Sequence, residues 1–276
     1  MSNPDWRPLA TVNFRSFHAA RVQAHYAAQW LARAARAHVP AQPHDGHTSL
    51  AWDDRFGGLT THPLHGGVRV GLRLADLTLV VLGSAPQMLA LDGRADPEVR
   101  TWLGEQLAGR GLDPAALDAP VPYDMPDHVL GLGARYSLDE LHDQFAALPM
   151  WYADAHAMLG RIGRKLTPLR LKPAPVRCWP HHFDLDSVVE LGRDRGIGLG
   201  FSPGDEYCDE PYFYVTMYPE PRIPGLPLLP PIGHWHTHEF LAAFAPAHKI
   251  AAATDQAGYT EAFFDTAVEG ALKALR

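Results

Sequence analysis

Two cysteines, Cys178 and Cys208, are the only thiols in this 276-residue chain. That excludes a framework of several disulfides and a zinc site built from Cys-x2-Cys pairs, and it suits a reducing compartment. Long apolar runs are missing as well: no stretch reaches the roughly 18 uninterrupted apolar residues that a bilayer span requires. The first residues lack the charged-then-apolar order of a secretory signal, so the expected location is cytoplasmic and no membrane partner is expected. No block of Lys or Arg occurs, and 24 basic against 31 acidic residues leave a formal charge of -7. Nucleic acid is therefore not an expected partner. Familiar catalytic signatures are absent too: there is no Gly-x-Ser-x-Gly elbow, no Gly-x4-Gly-Lys loop and no His-Glu-x2-His. Gly196-x-Gly198-x-Gly200 lacks the spacing of a dinucleotide fingerprint, so no nucleotide cofactor is expected.

What remains is a folding composition, 46% hydrophobic and 20% charged, on a chain long enough to bury a core without metal or disulfide help. Residues 1–38 are rich in Ala and Arg with Asp5 as the one acid, which is transit-peptide composition. Val22, Tyr26 and Trp30, spaced by four, favour instead a folded helix over 14–38. Strands are expected at 47–52, 68–74, 77–82 and 87–91, where short period-two segments are separated by Gly, Asp or Pro. Asp96-Pro97-Glu98 opens a helix that Gly109 and Gly111 close. A proline-containing linker runs from Pro114 to Pro126. Ser137-Leu138-Asp139-Glu140 predicts a capping box and a helix of about 25 residues bent at Pro149. Further strands are expected at 175–179, 196–201 and 211–218, a proline-rich run over 219–231, and a last helix over 256–275.

This order, strands in runs with helices outside them, predicts an α+β fold with mainly antiparallel sheet. The two halves also match in pattern. Trp52-x3-Phe56 corresponds to Trp179-x3-Phe183, and Gly67-Val68-Arg69-Val70-Gly71-Leu72 to Gly196-Ile197-Gly198-Leu199-Gly200-Phe201. We read this as an internal duplication into an N-terminal half, 1–126, and a C-terminal half, 127–276, each running helix, strands, helix.

Polar chemistry concentrates in the second half. His181-His182-Phe183-Asp184 follows a strand stopped by Pro180; His182 and Asp184 suit a divalent metal or an oriented acid/base pair, or else Asp184 simply caps a turn from Leu185 to Leu191. In Gly233-His234-Trp235-His236-Thr237-His238, an extended backbone puts the three imidazoles on one face, so that His234 and His236 can share an ion, and the start of a helix would put His234 and His238 one turn apart with the same result. The competing account is a surface run in a His-rich chain. Asp205 and Glu206, after Pro203-Gly204, serve either as a general base or as closers of their own turn. Gly198 and Gly200 share a strand face on which a ring or ligand could lie flat. Tyr212 and Tyr214 alternate with buried Phe213 and Val215, which offers a hydroxyl-bearing aromatic wall for a small polar molecule or a packing face for the proline-rich run.

The blocks Trp179-Pro180-His181-His182-Phe183-Asp184, Phe201-Ser202-Pro203-Gly204-Asp205-Glu206 and Glu210-Pro211-Tyr212-Phe213-Tyr214-Val215 resemble a family of bacterial proteins with no assigned activity, over about 40 residues. The resemblance implies that His182, Asp184 and Asp205 belong to one motif set. Related members often carry Glu in place of His181, which argues against His181 as an essential ligand.

The expected function is a metal-dependent hydrolase or lyase for a small polar molecule. His182, Asp184, His234 and His236 would hold Zn, Mn or Fe, and Asp205 or Glu206 would move the proton. The alternatives are a non-catalytic protein that binds a small molecule over the tyrosines and glycines, and a structural or partner-binding protein.

Overall fold

The computed structural model describes residues 6–10, 13–221 and 225–275. Residues 1–5 and 11–12 of the Ala/Arg-rich segment, and 222–224 of the proline-rich run, lie outside the described residues. The protein is α+β, and both of its sheets are antiparallel. It divides into two compact units: Arg15–Pro149 with Arg177–Phe183, and Met150–Val176 with Asp184–Arg276 and Met1–Phe14.

In the first unit, α1 (Phe14–His38) is the expected helix, and it buries Phe17, Ala24, Trp30 and Leu31. A five-stranded meander follows: β1 (Ala51–Asp53), β2 (Gly58–Thr60), β3 (Arg69–Arg73), β4 (Thr78–Leu82) and β5 (Gln87–Ala90), hydrogen-bonded in sequence order. Most of the strand expected at 47–52 is not strand. Pro43–Thr48 is a 3-10 segment interrupted by left-handed His44 and Asp45, both at φ 53°, and regular strand begins only at Ala51. The helix α2 (Asp96–Ala108) starts where expected, but the cap is made by Glu98, whose carboxylate accepts the Ala95 N–H at 2.9 Å. β6 (Arg177–Trp179) returns to this unit, where the Leu50 and Cys178 amides exchange two 2.8 Å hydrogen bonds.

The helix α3 (His142–Leu166) begins later than the Ser137 capping box predicts. The Ser137 N–H is taken by Gln23 Oε1 at 2.8 Å, and Glu140 sits at φ 61°, so the box cannot close. In the second unit come β7 (Asp184–Gly192), β8 (Arg195–Ser202), β9 (Tyr212–Tyr218), β10 (His234–His236) and β11 (Ala242–Pro246), then α4 (Ala247–Ala251) and α5 (Gln256–Ala274). Their sheet order is β10-β11-β9-β8-β7. The stretch from Leu185 to Leu191 is thus a strand rather than a capped turn: Leu185, Ser187 and Val189 are buried at every second position and pair with Phe201, Leu199 and Ile197 of β8.

One face of this sheet is core. Ile197, Leu199 and Phe201 stand beside Phe213 and Val215, all at 0% exposure. Trp151 stacks on Phe201 at 5.9 Å, Tyr152 meets it edge-on at 5.5 Å, and Phe264 of α5 meets Phe213 at 5.7 Å. Helices therefore cover this side, and period two sends the intervening residues to the other. Asp255 caps α5 by accepting the Gly258 N–H at 2.9 Å. Replacing it with Ala should cost about 1 kcal/mol in a urea unfolding midpoint, since one end donor then loses its partner. Among the described residues, no helix is long and apolar enough to cross a membrane.

Candidate functional site

The second face of the β7–β11 sheet gathers the polar residues. Cross-strand register aligns Asp186, Gly200, Tyr214, Phe244 and His234 in one row, and Val188, Gly198, Thr216, Ala242 and His236 in the next. Residues opposite one another in antiparallel pairs point to the same side, so acid, glycine, tyrosine and histidine follow one another across five strands.

The glycines are not an open floor. A Cβ on Gly200 would lie 1.9 Å from the Tyr214 ring, and one on Gly198 would lie 2.4 Å from the Thr216 hydroxyl. Both positions make room for side chains of β9 rather than for a ligand. Tyr214 leans across Gly200 far enough for its hydroxyl to donate a short hydrogen bond to Asp184 Oδ2. Burial, then the carboxylates of Asp184 and Asp186, hold the Tyr214 hydroxyl far above its ordinary pKa, so the phenol keeps its proton and remains the donor.

Asp186 stands two residues along the same strand face. Burial, then the neighbouring charge of Asp184, pushes its carboxyl up to about 7. Its Oδ1 is buried and makes no hydrogen bond among the described residues. The sequence reading missed this residue. Its signal was the pair Asp184-x-Asp186, which period two places on one side as soon as the segment is read as strand.

Asp205 and Tyr212 form a separate, saturated network. The carboxylate of Asp205 accepts from the Tyr212 hydroxyl at 2.6 Å, the Ser202 hydroxyl at 3.0 Å, and the Tyr207 and Cys208 amides at 3.0 and 3.2 Å. These four donors make it the anchor of loop 203–211. Replacing Asp205 with Asn keeps the shape but removes the charge that strengthens these bonds; we expect a loss of about 1 to 2 kcal/mol in urea unfolding. Glu206 is exposed on the same loop.

His236 stacks on Phe244 at 4.8 Å, with Phe240 also at 4.8 Å and Phe244 reaching Tyr212 at 4.4 Å. Its Nε2 is buried and unbonded among the described residues. His234 is exposed, with a pKa lowered by burial and then by Lys249, His236 and His248. His182 belongs to the first unit, where its ring lies 4.2 Å from that of His181. There His25, 6% exposed, bonds the Pro180 carbonyl at 2.7 Å and stacks on Phe183 at 5.3 Å; burial pushes its pKa down to about 4. Asp184, Asp205, Tyr212, Tyr214, Gly198, Gly200, His234 and His236 thus share one unit, and His182 lies in the other. Among the described residues, no group of three or more His, Cys, Asp or Glu side chains is arranged to hold a metal ion.

Comparison with protein-family models, curated proteins and solved structures finds no match to this chain.

Proposed function

We propose that the acid and tyrosine face of the β7–β11 sheet binds a small polar molecule carrying N–H or O–H donors, with Asp186 as the group that meets it. One observation carries this reading: Asp186 buries a carboxyl oxygen without a hydrogen-bond partner among the described residues, beside a second carboxylate already engaged by Tyr214. An unsatisfied buried acceptor next to a like charge costs folding free energy, and such costs concentrate where a ligand supplies the missing partner. A carboxyl that titrates near 7 also takes up or returns a proton at neutral pH, so the same face supports proton transfer to the bound molecule. Asp205 acts in this reading as a positioning residue, holding the Tyr212 hydroxyl and the loop above it.

The metal-dependent hydrolase or lyase needs His182, Asp184, His234 and His236 to converge. Among the described residues no three such side chains are arranged around one ion, whereas proton transfer at Asp186 requires only the carboxyl itself. A titration of wild type and Asp186→Asn with a panel of small amines, amides and alcohols at pH 8 tests the proposal. At least one compound should bind wild type with Kd near or below about 1 mM and lose about tenfold in the variant. Equal binding by both proteins, or none by wild type, would remove Asp186 from the role.

We also infer that the two halves, 1–126 and 127–276, arose by duplication. In support, Leu59 faces Leu72 as Leu185 faces Phe201, Gly71 faces Val80 as Gly200 faces Tyr214, and Val80 faces Met88 as Tyr214 faces Phe244. The turn before each meander matches as well. The Asp53 carbonyl accepts from the Phe56 and Gly57 amides, the Trp179 carbonyl from the His182 and Phe183 amides, and Gly57 and Phe183 take φ 64° and 58°. On this basis Trp179 corresponds to Asp53, one residue from the Trp52 pairing. Superposition of 58–90 on 184–246 should match the strands in chain order with β10 as an insertion; an out-of-order match would end the inference.

A further inference from the structure

A second polar face lies in the first unit. The pairing of Thr60 with Ala51 and Gly71, together with the Leu50–Cys178 bridge, fixes the register across β3, β2, β1 and β6. One row on a single side is then Arg69, His62, Ser49 and Trp179; the adjacent row on that side is Gly71, Thr60, Ala51 and Arg177. Two guanidiniums and an imidazole therefore surround the short side chains of Ser49, Ala51 and Thr60. Phe56 closes the Gly71 end, its ring 3.0 Å from where a Cβ would sit.

No carboxylate answers this charge. Among the described residues, neither Arg69 nor Arg177 forms an ion pair. Asp53, one row along, accepts the Arg55 N–H at 3.0 Å, and Asp76 is held by Arg73 at 2.6 Å. Arg177 is half-buried, and burial followed by the charge of Arg69 lowers its pKa. His62 is lowered by burial, then by Arg177, while its Nε2 lies 3.3 Å from the Ser49 hydroxyl. Arg69 is exposed and Arg177 half-buried, and two guanidiniums left together with no carboxylate between them would be stabilised by an anion that is not part of the chain.

We propose that this face is an oxyanion site, in which Arg69 and Arg177 clamp a phosphate group, free or as a monoester, beside His62. Guanidinium forks match phosphate oxygens in pairs, and two forks approaching from different strands suit a tetrahedral dianion better than a planar carboxylate. Ser49 and Thr60 are themselves buried beneath these side chains, so the phosphate group meets the guanidinium ends above them rather than the sheet, and Trp179 at the end of the row offers a surface for whatever the ester carries.

The full chain, titrated with inorganic phosphate and separately with glycerol phosphate at pH 7 and matched ionic strength, tests this. Phosphate should raise the melting temperature of wild type. Arg69→Gln and Arg177→Gln should each weaken binding about tenfold, and the double variant should not respond. Without phosphate, Arg177→Gln should melt at or above the wild-type temperature, because a repulsion has been removed; that separates a ligand clamp from a structural role. Tighter binding of the monoester would assign the site to an organic phosphate, tighter binding of the free ion to inorganic phosphate. A wild type insensitive to both compounds, or variants that melt lower while binding phosphate unchanged, would overturn the proposal.

Discussion

Asp186→Asn should make the protein more stable at pH 8 and no more stable at pH 4. The folded carboxyl titrates near 7 against an ordinary value of 3.8, because burial and Asp184 both oppose its charge. As pH rises through 3.8 the unfolded chain gives up this proton, while the folded chain keeps it until about 7. The unfolded state therefore binds fewer protons across that window, and stability falls as pH rises. The gap corresponds to at most about 4 kcal/mol. Asn cannot ionise, so the urea midpoint of the variant should gain on that of the wild type between pH 4 and 8, over and above the rise that His25, held neutral down to about 4, gives to both proteins. Asp184→Asn, which removes the neighbouring charge, should shift the wild-type decline to lower pH. Parallel pH profiles for wild type and Asp186→Asn would show that the carboxyl is not held neutral.

Gly200→Ala should cost roughly 4 kcal/mol, far more than a methyl group on an exposed strand. The new Cβ would fall 1.9 Å from Tyr214 Cζ and 2.2 Å from its hydroxyl oxygen, so the ring must swing away. The hydroxyl then leaves Asp184, and a carboxylate oxygen only 8% exposed as a residue loses its donor. In a Tyr214→Ala background the same substitution should cost less than about 1 kcal/mol, since the obstacle has gone. Additive costs in that cycle would mean that the penalty comes from strand backbone rather than from Tyr214. Gly198→Ala should be milder, because the Thr216 hydroxyl it meets can change rotamer.

The elements legible in the sequence were those whose periodicity is strong and local. α1 and α5 fall within a residue or two of their expected limits, as do β8 and β9, where large apolar residues alternate without interruption. β7 was hidden because Ser187 breaks the apolar alternation between Leu185 and Val189, and because Pro180 and Asp184 suggest a turn. β11 was hidden for another reason. Ala242-Ala243-Phe244-Ala245-Pro246 has weak strand propensity, and the segment is extended because pairing with β9 and complete burial decide the matter. The face of the candidate site followed from alternation in β8 and β9, yet its central acid lay on the strand that was not seen. For Asp205 the local alternative, an acid closing its own turn, describes the carboxylate fully occupied by four donors.

The seven residues from Arg177 to Phe183 belong with a body that is otherwise finished at Pro149. During synthesis, the first meander therefore emerges from the ribosome with the outer edge of β1 bare, and the Leu50 amide waits for a partner 128 residues downstream in Cys178. A nascent chain stalled before that point presents an unpaired strand edge to its neighbours, the usual template for association between chains. Chains truncated between residues 150 and 176 should consequently aggregate more than the full-length chain, in which Cys178 has reached the Leu50 edge.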